Sequence, residues 1–464
     1  MPYIKNEHKQ NASSHAVVIG SSITGLLTAR ILVEHFDFVT IVERDELPEL
    51  PEFRQGVPQT HHVHILLTQG QRILEQLFPG IKAQLAEAGA PSVDWVRDLI
   101  TLNMFGWVSR TSSELVTYTC SRVFLEWLIR QRLSNYQNLE FVTSTLFKGL
   151  LVNTKNQVSG VKLHCKNSAL DTELTADLVV DASGRNSQLP KFLEEIGYQA
   201  PETTIINSFL GYSTCWYEVP DEFCASWKAL LVAAKPPDSL RGGILYPVEG
   251  NRWAITLAGM SKDYPPTDAD GFLEFARSLR SPIIYDAIKN AKPISPVYGY
   301  RRTENCWRHY EKLSRLPDGV VAIGDAVCAF NPIYGQGMTT AAVSALELSR
   351  CLKEQFKNSP RNVKGFTLKF QKRLAKILQT PWLMATGEDF RYETTEGGKA
   401  DKITQLMQIY IDKILELSVS DSDISKRFAE VAHMIKTPNT LFALTVLSKV
   451  LRSSLKFRSV EAPK

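Results

Sequence analysis

The chain has 464 residues, of which 44% are hydrophobic and 22% are charged, and its formal net charge at pH 7 is +4. These proportions are typical of a folded globular protein, so they exclude a disordered chain, and the length suffices for two or three domains. Lysine and arginine are dispersed along the sequence rather than clustered, which argues against nucleic acid as the main partner.

The seven cysteines are an odd number without a Cys-x-x-Cys pair, which predicts reduced thiols and a cytoplasmic protein. The polar leader 1–15 lacks an apolar stretch of signal-peptide length, and no run reaches the roughly 18 apolar residues of a membrane span. Residues 440–458 combine apolar positions with Lys449, Arg452, Lys456 and Arg458. A helix there either docks its apolar face on the protein or makes weak contact with a membrane surface.

Residues 16–44 are predicted to form a strand, a tight turn, a helix and a second strand. The turn begins at Gly20, and Gly25 allows close packing of the helix on the strand. Ser22 stands where the dinucleotide-binding fingerprint has its second glycine, but serine is also small. Glu43 ends the second strand, close to the position of a carboxylate that binds ribose hydroxyls. The segment therefore predicts a βαβ unit that binds a dinucleotide.

The loop after this unit contains Arg54 and three histidines, His61, His62 and His64. Three histidines suggest a metal site. However, common zinc sites combine histidine with cysteine or carboxylate ligands, or space two histidines four residues apart on a helix. We therefore predict no bound metal.

Two further positions are candidates for binding phosphate. Ser121 is a hydroxyl N-cap and Arg122 lies in the first turn of a predicted helix, where a cation is unfavourable unless an anion is close. That anion is either a phosphate or the carboxylate of Glu126. The strand near 176–181 ends in a small-residue turn before Arg185, which either binds phosphate or is solvated.

Strand-like segments between 201 and 300 predict an antiparallel sheet, with a hairpin turn at Asn251-Arg252. Trp216, Tyr246 and Trp253 are candidates for its substrate-facing surface, although most aromatic residues on strands belong to the core. Further strands are predicted around Trp95 and at 105–107, and 139–164 is predicted as a meander of three strands.

Asp325 lies at the end of a strand predicted near 320–323, where open α/β sheets bind ligands. The loop Asn331-Pro332-Ile333-Tyr334-Gly335-Gln336-Gly337-Met338 then opens a helix whose start favours negative charge. From about residue 358 the chain is predicted to be mainly helical, with a turn at 385–392.

These motifs, in this order, resemble the para-hydroxybenzoate-hydroxylase-like FAD-dependent monooxygenases, in particular the branch near the epoxidases and polyprenyl-phenol hydroxylases. The resemblance covers about residues 16–352. It implies an α/β fold with a Rossmann-like FAD-binding domain (1–90, 119–200 and 301–357). It further implies a substrate-binding domain with a mixed or antiparallel sheet (91–118 and 201–300) and a helical C-terminal region (358–464).

The resemblance also implies roles for individual residues. The cofactor contacts that it implies are Gly20, Ser22 and Gly25 on the FAD pyrophosphate, Glu43 on the adenosine ribose, Arg122 on the phosphate and ribityl region, Asp325 on ribityl or pyrophosphate groups, Gly335, Gly337 and Met338 at the isoalloxazine, Arg54 beside the mobile flavin, and Arg44 and Pro332 elsewhere in the cofactor site.

The implied activity is reduction of FAD by NADH or NADPH, followed by transfer of one oxygen atom of dioxygen from a flavin hydroperoxide to a small, mostly apolar substrate of secondary metabolism. No catalytic side chain is predicted. A reductase of the geranylgeranyl-reductase type, a flavin halogenase and a non-catalytic FAD-binding protein are the alternatives. The halogenase is disfavoured because its Trp-x-Trp-x-Ile-Pro signature is missing, and residues 215–220 do not match it.

Overall fold

A computed structural model describes residues 14–359 and 361–458. The strands are β1 His15–Ile19, β2 Phe38–Val42, β3 Ser92–Asp94, β4 Leu99–Leu102, β5 Val116–Tyr118, β6 Leu139–Val142, β7 Thr145–Val152, β8 Val158–Cys165, β9 Leu170–Thr175, β10 Leu178–Asp181, β11 Thr203–Ile206, β12 Gly211–Glu218, β13 Ala229–Val232, β14 Arg241–Val248, β15 Arg252–Gly259, β16 Tyr298–Tyr300, β17 Asn305–Arg308, β18 Val320–Ala322 and β19 Cys328–Ala329.

The helices are α1 Ile23–Leu32, α2 Thr68–Leu77, α3 Ile81–Glu87, α4 Arg122–Leu133, α5 Leu189–Glu195, α6 Ala269–Arg277, α7 Ile283–Ile288, α8 Gly337–Asn358, α9 Phe366–Asp389, α10 Lys402–Ser418, α11 Ser422–Ala432 and α12 Leu444–Arg458.

A parallel five-stranded sheet forms the centre of the fold, in the order β18-β10-β1-β2-β6. Every residue of β2 and β10 is buried, which explains their continuous apolar runs. Because the strands are parallel, their carboxyl ends meet at one edge, where Gly20, Glu43, Ala182 and Ile323 follow β1, β2, β10 and β18. This edge is where open α/β sheets bind ligands.

A second, mixed sheet has the order β16-β12-β15-β14-β13-β4, and all its pairs are antiparallel except β13 with β4. Helices α6 and α7 cover one of its faces with an apolar core. The predicted α/β class, with a Rossmann-like sheet, a mixed sheet and a helical C-terminal region, is confirmed. The bounds of the three domains stay a prediction.

Four local predictions were wrong. β6 joins the parallel sheet beside β2, and the meander is β7-β8-β9. The hairpin turn occupies 249–251, because Val248 already pairs with Arg252. Residues 105–107 lie outside the named strands, although Trp107 forms an isolated bridge with Leu102. Residues 385–389 complete α9 instead of forming a turn.

The C-terminal region packs helices against one another. Val446 and Val450 of α12 are buried against α10 and α11, as expected of a docked helix. Leu444 is 84% exposed and Leu451 is 63% exposed. The leader before residue 14 and the side chains of Lys456 and Arg458 lie outside the described part. Within that part, no helix is long and apolar enough to cross a membrane.

Candidate cofactor and substrate site

The turn between β1 and α1 requires both of its glycines. Gly20 has φ +98°, and a Cβ there would lie 2.8 Å from the carbonyl oxygen of Ala182. A Cβ on Gly25 would lie 1.8 Å from the carbonyl oxygen of Gly20. The N-cap Ser22 makes no capping hydrogen bond, and the first turn of α1 has no acidic residue. The backbone N–H groups and the positive dipole end of α1 therefore suit an anion.

Glu43 is fixed at the end of β2 in its charged form. Its Oε2 accepts hydrogen bonds from the backbone N–H of Ser21 (2.8 Å) and from Ser21 Oγ (2.7 Å), and Arg54 Nη1 lies 3.1 Å away. Burial opposes the charge, but Arg54 and the Ser21 hydrogen bonds lower the pKa of Glu43 below its ordinary value. The carboxylate therefore stays ionised at neutral pH.

Arg54 lies at the centre of a buried cluster of carboxylates, with 7% of its side chain exposed. Its Nη2 donates to Glu126 Oε1 at 2.6 Å, and its Nη1 lies 3.4 Å from Asp45 Oδ2. Burial opposes the charge of Arg54, but Glu126 and Glu43 raise its pKa. The sequence identified Arg54 but missed Glu126 as its partner.

Arg122 points at the glycine-rich turn. Ser121 caps α4, since its Oγ accepts from the N–H of Phe124 at 3.1 Å, as predicted. The Nη2 of Arg122 donates to Ser22 Oγ at 2.8 Å, and its Nη1 lies 2.9 Å from His64 Nε2. Its buried Nε has no hydrogen-bond partner among the described residues. This arrangement agrees with the phosphate alternative better than with a pair to Glu126.

The segment after β18 brings a second helix start to the same edge. A Cβ on Gly324 (φ +64°) would lie 2.6 Å from the Thr24 side chain in α1. Asp325 is the one partly exposed residue of the otherwise buried stretch 321–330. Pro332 lies in the short 3₁₀ turn Pro332–Tyr334, after which Gly335 takes the left-handed conformation.

Helix α8 starts without a side-chain cap or an acid in its first turn. A Cβ on Gly337 would meet no atom within 4 Å, and the buried Oε1 of Gln336 has no partner among the described residues. The Met338 side chain packs in the main core, so its contribution to a ligand site would be its backbone N–H. Together with the Nε of Arg122 and the start of α1, these features fit an extended dinucleotide with phosphates and a polar ring.

The segment 61–67 connects the mixed sheet to the cofactor edge. His62 Nδ1 lies 2.8 Å from Thr214 Oγ1 of β12, and His64 contacts Arg122. The N–H of Leu67 donates to Thr339 Oγ1 in α8 at 3.2 Å. The sheet face, Arg122 and the start of α8 therefore belong to one connected site.

The three histidines have separate partners. His61 stacks between Phe53 and Tyr298, with ring centroids 4.0 and 3.9 Å away. Burial lowers the pKa of His62 to about 3, so its imidazole is neutral at pH 7. Among residues 14–359 and 361–458, no group of three histidine, cysteine or carboxylate side chains is arranged to hold a metal.

The three candidate substrate aromatics do not share one face of the mixed sheet. Trp216 and Tyr246 pack in one cluster with Trp95, and the Trp216 indole donates to the His61 carbonyl at 2.8 Å. Trp253 belongs to the core beneath α6 and α7. Alternation along β15 places it on that opposite face, so a single surface lined by all three is wrong.

The remaining candidates lie at the edges of the site. Arg44 is exposed, and its Nη2 donates to the carbonyl of Gly56 at 2.7 Å. Arg185 is not simply solvated, because its two Nη groups donate to the backbone carbonyls of Glu304 and Phe330, while its buried Nε has no hydrogen-bond partner among the described residues.

A model of the FAD binding domain family matches residues 13–362. The chain belongs to this family. The resemblance stated above is thereby confirmed at the level of the FAD-binding family, and the chain is an FAD-binding flavoprotein. Protein Rv3254 of Mycobacterium tuberculosis (strain ATCC 25618 / H37Rv) is 35% identical over 397 residues, which are 83% of this chain and 82% of that protein.

Solved structures share the fold of this flavoprotein at low identity. The flavin-dependent brominase Bmp2 has a TM-score of 0.66 and 13% identity, over 97% of this chain and 100% of that one. PqsL, a probable FAD-dependent monooxygenase from Pseudomonas aeruginosa, has a TM-score of 0.59 and 17% identity, over 82% of this chain and 98% of that one. At these identities the likeness shows the fold alone.

The hydroxyl of Ser22 gives a prediction for this flavoprotein. Ser22 Oγ donates to Glu126 Oε2 at 2.7 Å and accepts from Arg122, but its replacement by glycine keeps the turn open. We expect Ser22→Gly to bind FAD with a dissociation constant within about threefold of wild type, because the two partners keep other hydrogen bonds. Fluorescence titration of the apoprotein measures it, and loss of flavin from the variant would show that the hydroxyl is needed for cofactor binding.

Proposed function

We propose that this flavoprotein is a monooxygenase that uses NADH or NADPH and dioxygen to hydroxylate, epoxidise or insert oxygen into a small, mostly apolar organic molecule. The connection made by segment 61–67 carries the proposal, because it joins one face of the mixed sheet to Arg122 and to the start of α8, both of which suit an FAD. Bound FAD would supply electron transfer from the nicotinamide and activation of dioxygen.

The chain's own residues would bind the cofactor, orient the substrate and shield the site from water. The N–H groups of 22–25 and the Arg122 guanidinium would hold phosphate, Glu43 the ribose and Asp325 a ribityl or phosphate group. The start of α8, from Gly335 to Met338, would favour negative charge at the ring. Because Arg54 pairs with Glu43, it would lie with Arg44 at the adenosine end rather than beside the mobile flavin, and Pro332 would support the loop before α8.

The sheet face that joins this site supports the proposed substrate class. Trp95, Trp216 and Tyr246 form an apolar cluster on the side of the sheet that contacts the segment 61–67. These three residues are at most 5% exposed, so they belong to the packed core beside the segment 61–67. An aromatic core next to the site favours an aromatic, polyene or prenylated substrate over a charged one. Such molecules are typical of secondary metabolism.

The other proposals concern location. Seven free thiols favour a reducing, cytoplasmic compartment. The exposed Leu444 and Leu451 of α12 favour weak contact with a membrane surface, beside the docked face of the same helix.

Coupled measurements of NAD(P)H oxidation and dioxygen uptake test the proposed activity. We expect nicotinamide oxidation to consume dioxygen and to leave one oxygen atom in the product of an apolar substrate. Turnover of an alkene substrate without dioxygen would instead identify a reductase of the geranylgeranyl-reductase type. Halide-dependent product formation would identify a halogenase, and bound FAD without any turnover would identify a non-catalytic protein.

A further inference from the structure

We propose that Asp389 is a positioning residue for the loop 331–336, so that the helical C-terminal region forms part of the flavin site. Asp389 ends α9, outside the residues 13–362 that match the FAD binding domain family. The proposal rests on the proposed function in one respect, namely that this loop and the start of α8 face the flavin ring.

One fully buried carboxylate accepts hydrogen bonds from two side chains of this loop. Asp389 is 0% exposed. Its Oδ1 accepts hydrogen bonds from Tyr334 Oη (2.7 Å) and Asn331 Nδ2 (3.0 Å). Its Oδ2 accepts from Asn305 Nδ2 at 2.5 Å. The loop is therefore bound to α9 at its first residue and again three residues later.

The two asparagines require an acceptor at this place. The Oδ1 of Asn305 accepts from the backbone N–H of Asn331 at 2.7 Å, and the Oδ1 of Asn331 accepts from the N–H of Ile333 at 3.2 Å. Their amide oxygens are thus used, and both NH₂ groups must donate. An ionised carboxylate is the side chain that accepts from three donors at once, whereas an amide at position 389 would place NH₂ against NH₂.

The carboxylate is held in place from the other side. The backbone of Asn207, just after β11, pairs with Glu396 through hydrogen bonds of 3.0 and 2.9 Å. A Cβ on Gly397 would lie 1.8 Å from the carbonyl oxygen of Ile205, so the chain passes β11 too closely for any other residue. β11 pairs with β17, which begins at Asn305, and β17 pairs with β19, which ends just before the loop. The segment after Asp389 therefore contacts the edge of the small sheet from which the loop leaves.

Burial raises the pKa of Asp389 to about 6, against the hydrogen bonds from Tyr334 and the asparagines. At pH 8 the group is therefore the carboxylate that its donors require. Loss of these contacts would free Asn331 and Tyr334, and with them Gly335 and the uncapped start of α8. A shift of this loop changes how FAD is bound even though Asp389 itself need not touch the cofactor.

The test compares Asp389→Asn and Tyr334→Phe with a control, Glu393→Gln, which removes the same charge from an exposed position four residues later. Apoprotein is titrated with FAD at pH 8, and the visible circular dichroism of the bound flavin is recorded. We expect FAD to bind about ten- to a hundredfold more weakly to Asp389→Asn and about two- to tenfold more weakly to Tyr334→Phe, because hydrogen bonds to a charged group are lost. The control should stay within about twofold.

The flavin dichroism should change in Asp389→Asn and Tyr334→Phe and stay as in wild type in Glu393→Gln. Unchanged FAD affinity and dichroism in both variants, even with a lower melting temperature of the apoprotein, would overturn the inference and leave Asp389 a structural residue. If Asp389→Asn does not fold, the FAD affinity and dichroism of Tyr334→Phe alone decide the test. Failure of the wild-type protein to bind FAD would instead contradict the proposed function.

Discussion

Replacing Gly25 with alanine is expected to abolish FAD binding. The added Cβ would lie 1.8 Å from the carbonyl oxygen of Gly20, so the glycine-rich turn and α1 would have to move apart. The N–H groups proposed to bind phosphate belong to this turn, and overpacking of this kind costs about 1–3 kcal/mol or more of stability. The flavin content of the purified variant and its thermal unfolding measure both effects.

Gly149→Ala provides the matched control. This glycine lies in β7, and a Cβ there would approach no atom closer than the flexible Lys162 side chain, at 3.6 Å. The control should keep its FAD. A Gly25→Ala protein that binds FAD as tightly as wild type would show that the turn does not hold the cofactor.

Replacing Arg54 with methionine is expected to lower the free energy of unfolding by about 3–5 kcal/mol at pH 8, because one partner of a buried ion-pair cluster is removed. Methionine fills much of the space of the arginine stem, so the loss reflects charge. Glu43 and Glu126 would be left buried and mutually repelling. Urea unfolding of the apoprotein measures the change.

The effect of Arg54→Met should depend on pH. In the wild type the pKa of Glu43 is lowered, so its contribution to stability is present above the unfolded-state pKa and is lost as pH falls through the folded-state pKa. Without Arg54, burial would raise the pKa of Glu43. As pH falls, protonation of Glu43 would then remove the unpaired buried charge of the variant. We therefore expect a smaller destabilisation at pH 5 than at pH 8.

Arg97→Met is the control, since Arg97 is a largely exposed arginine paired with Asp98. It should change stability little at either pH. Equal losses of stability for both variants would contradict the buried cluster.

The sequence predicted correctly those elements whose conformation depends on residues close together in the chain. The turn at Gly20, the following α1 and the Ser121 cap each depend on residues within one turn or strand. The strands predicted within 16–44 and near 176–181 are β1, β2 and β10 of the parallel sheet, and β2 and β10 are buried along their whole length. The position of the candidate site, at the edge of that sheet where the strands end, followed from the parallel topology.

Contacts between distant segments were not predictable from the sequence. Arg54 donates a hydrogen bond to Glu126, 72 residues later in the sequence, and Asn331 donates one to Asp389, 58 residues later. Trp253 was misassigned because both faces of β15 are largely buried, so composition does not reveal which face meets the site. The apolar and β-branched character of β6 did not distinguish a parallel edge strand from a meander.

Flavin absorption of the purified protein tests the central claim most directly. The protein is incubated with FAD, free cofactor is removed by gel filtration, and the visible spectrum is recorded. The account predicts the two visible absorption bands of a bound oxidised flavin, at about one FAD per chain. A folded protein that shows no flavin bands after this treatment would contradict it.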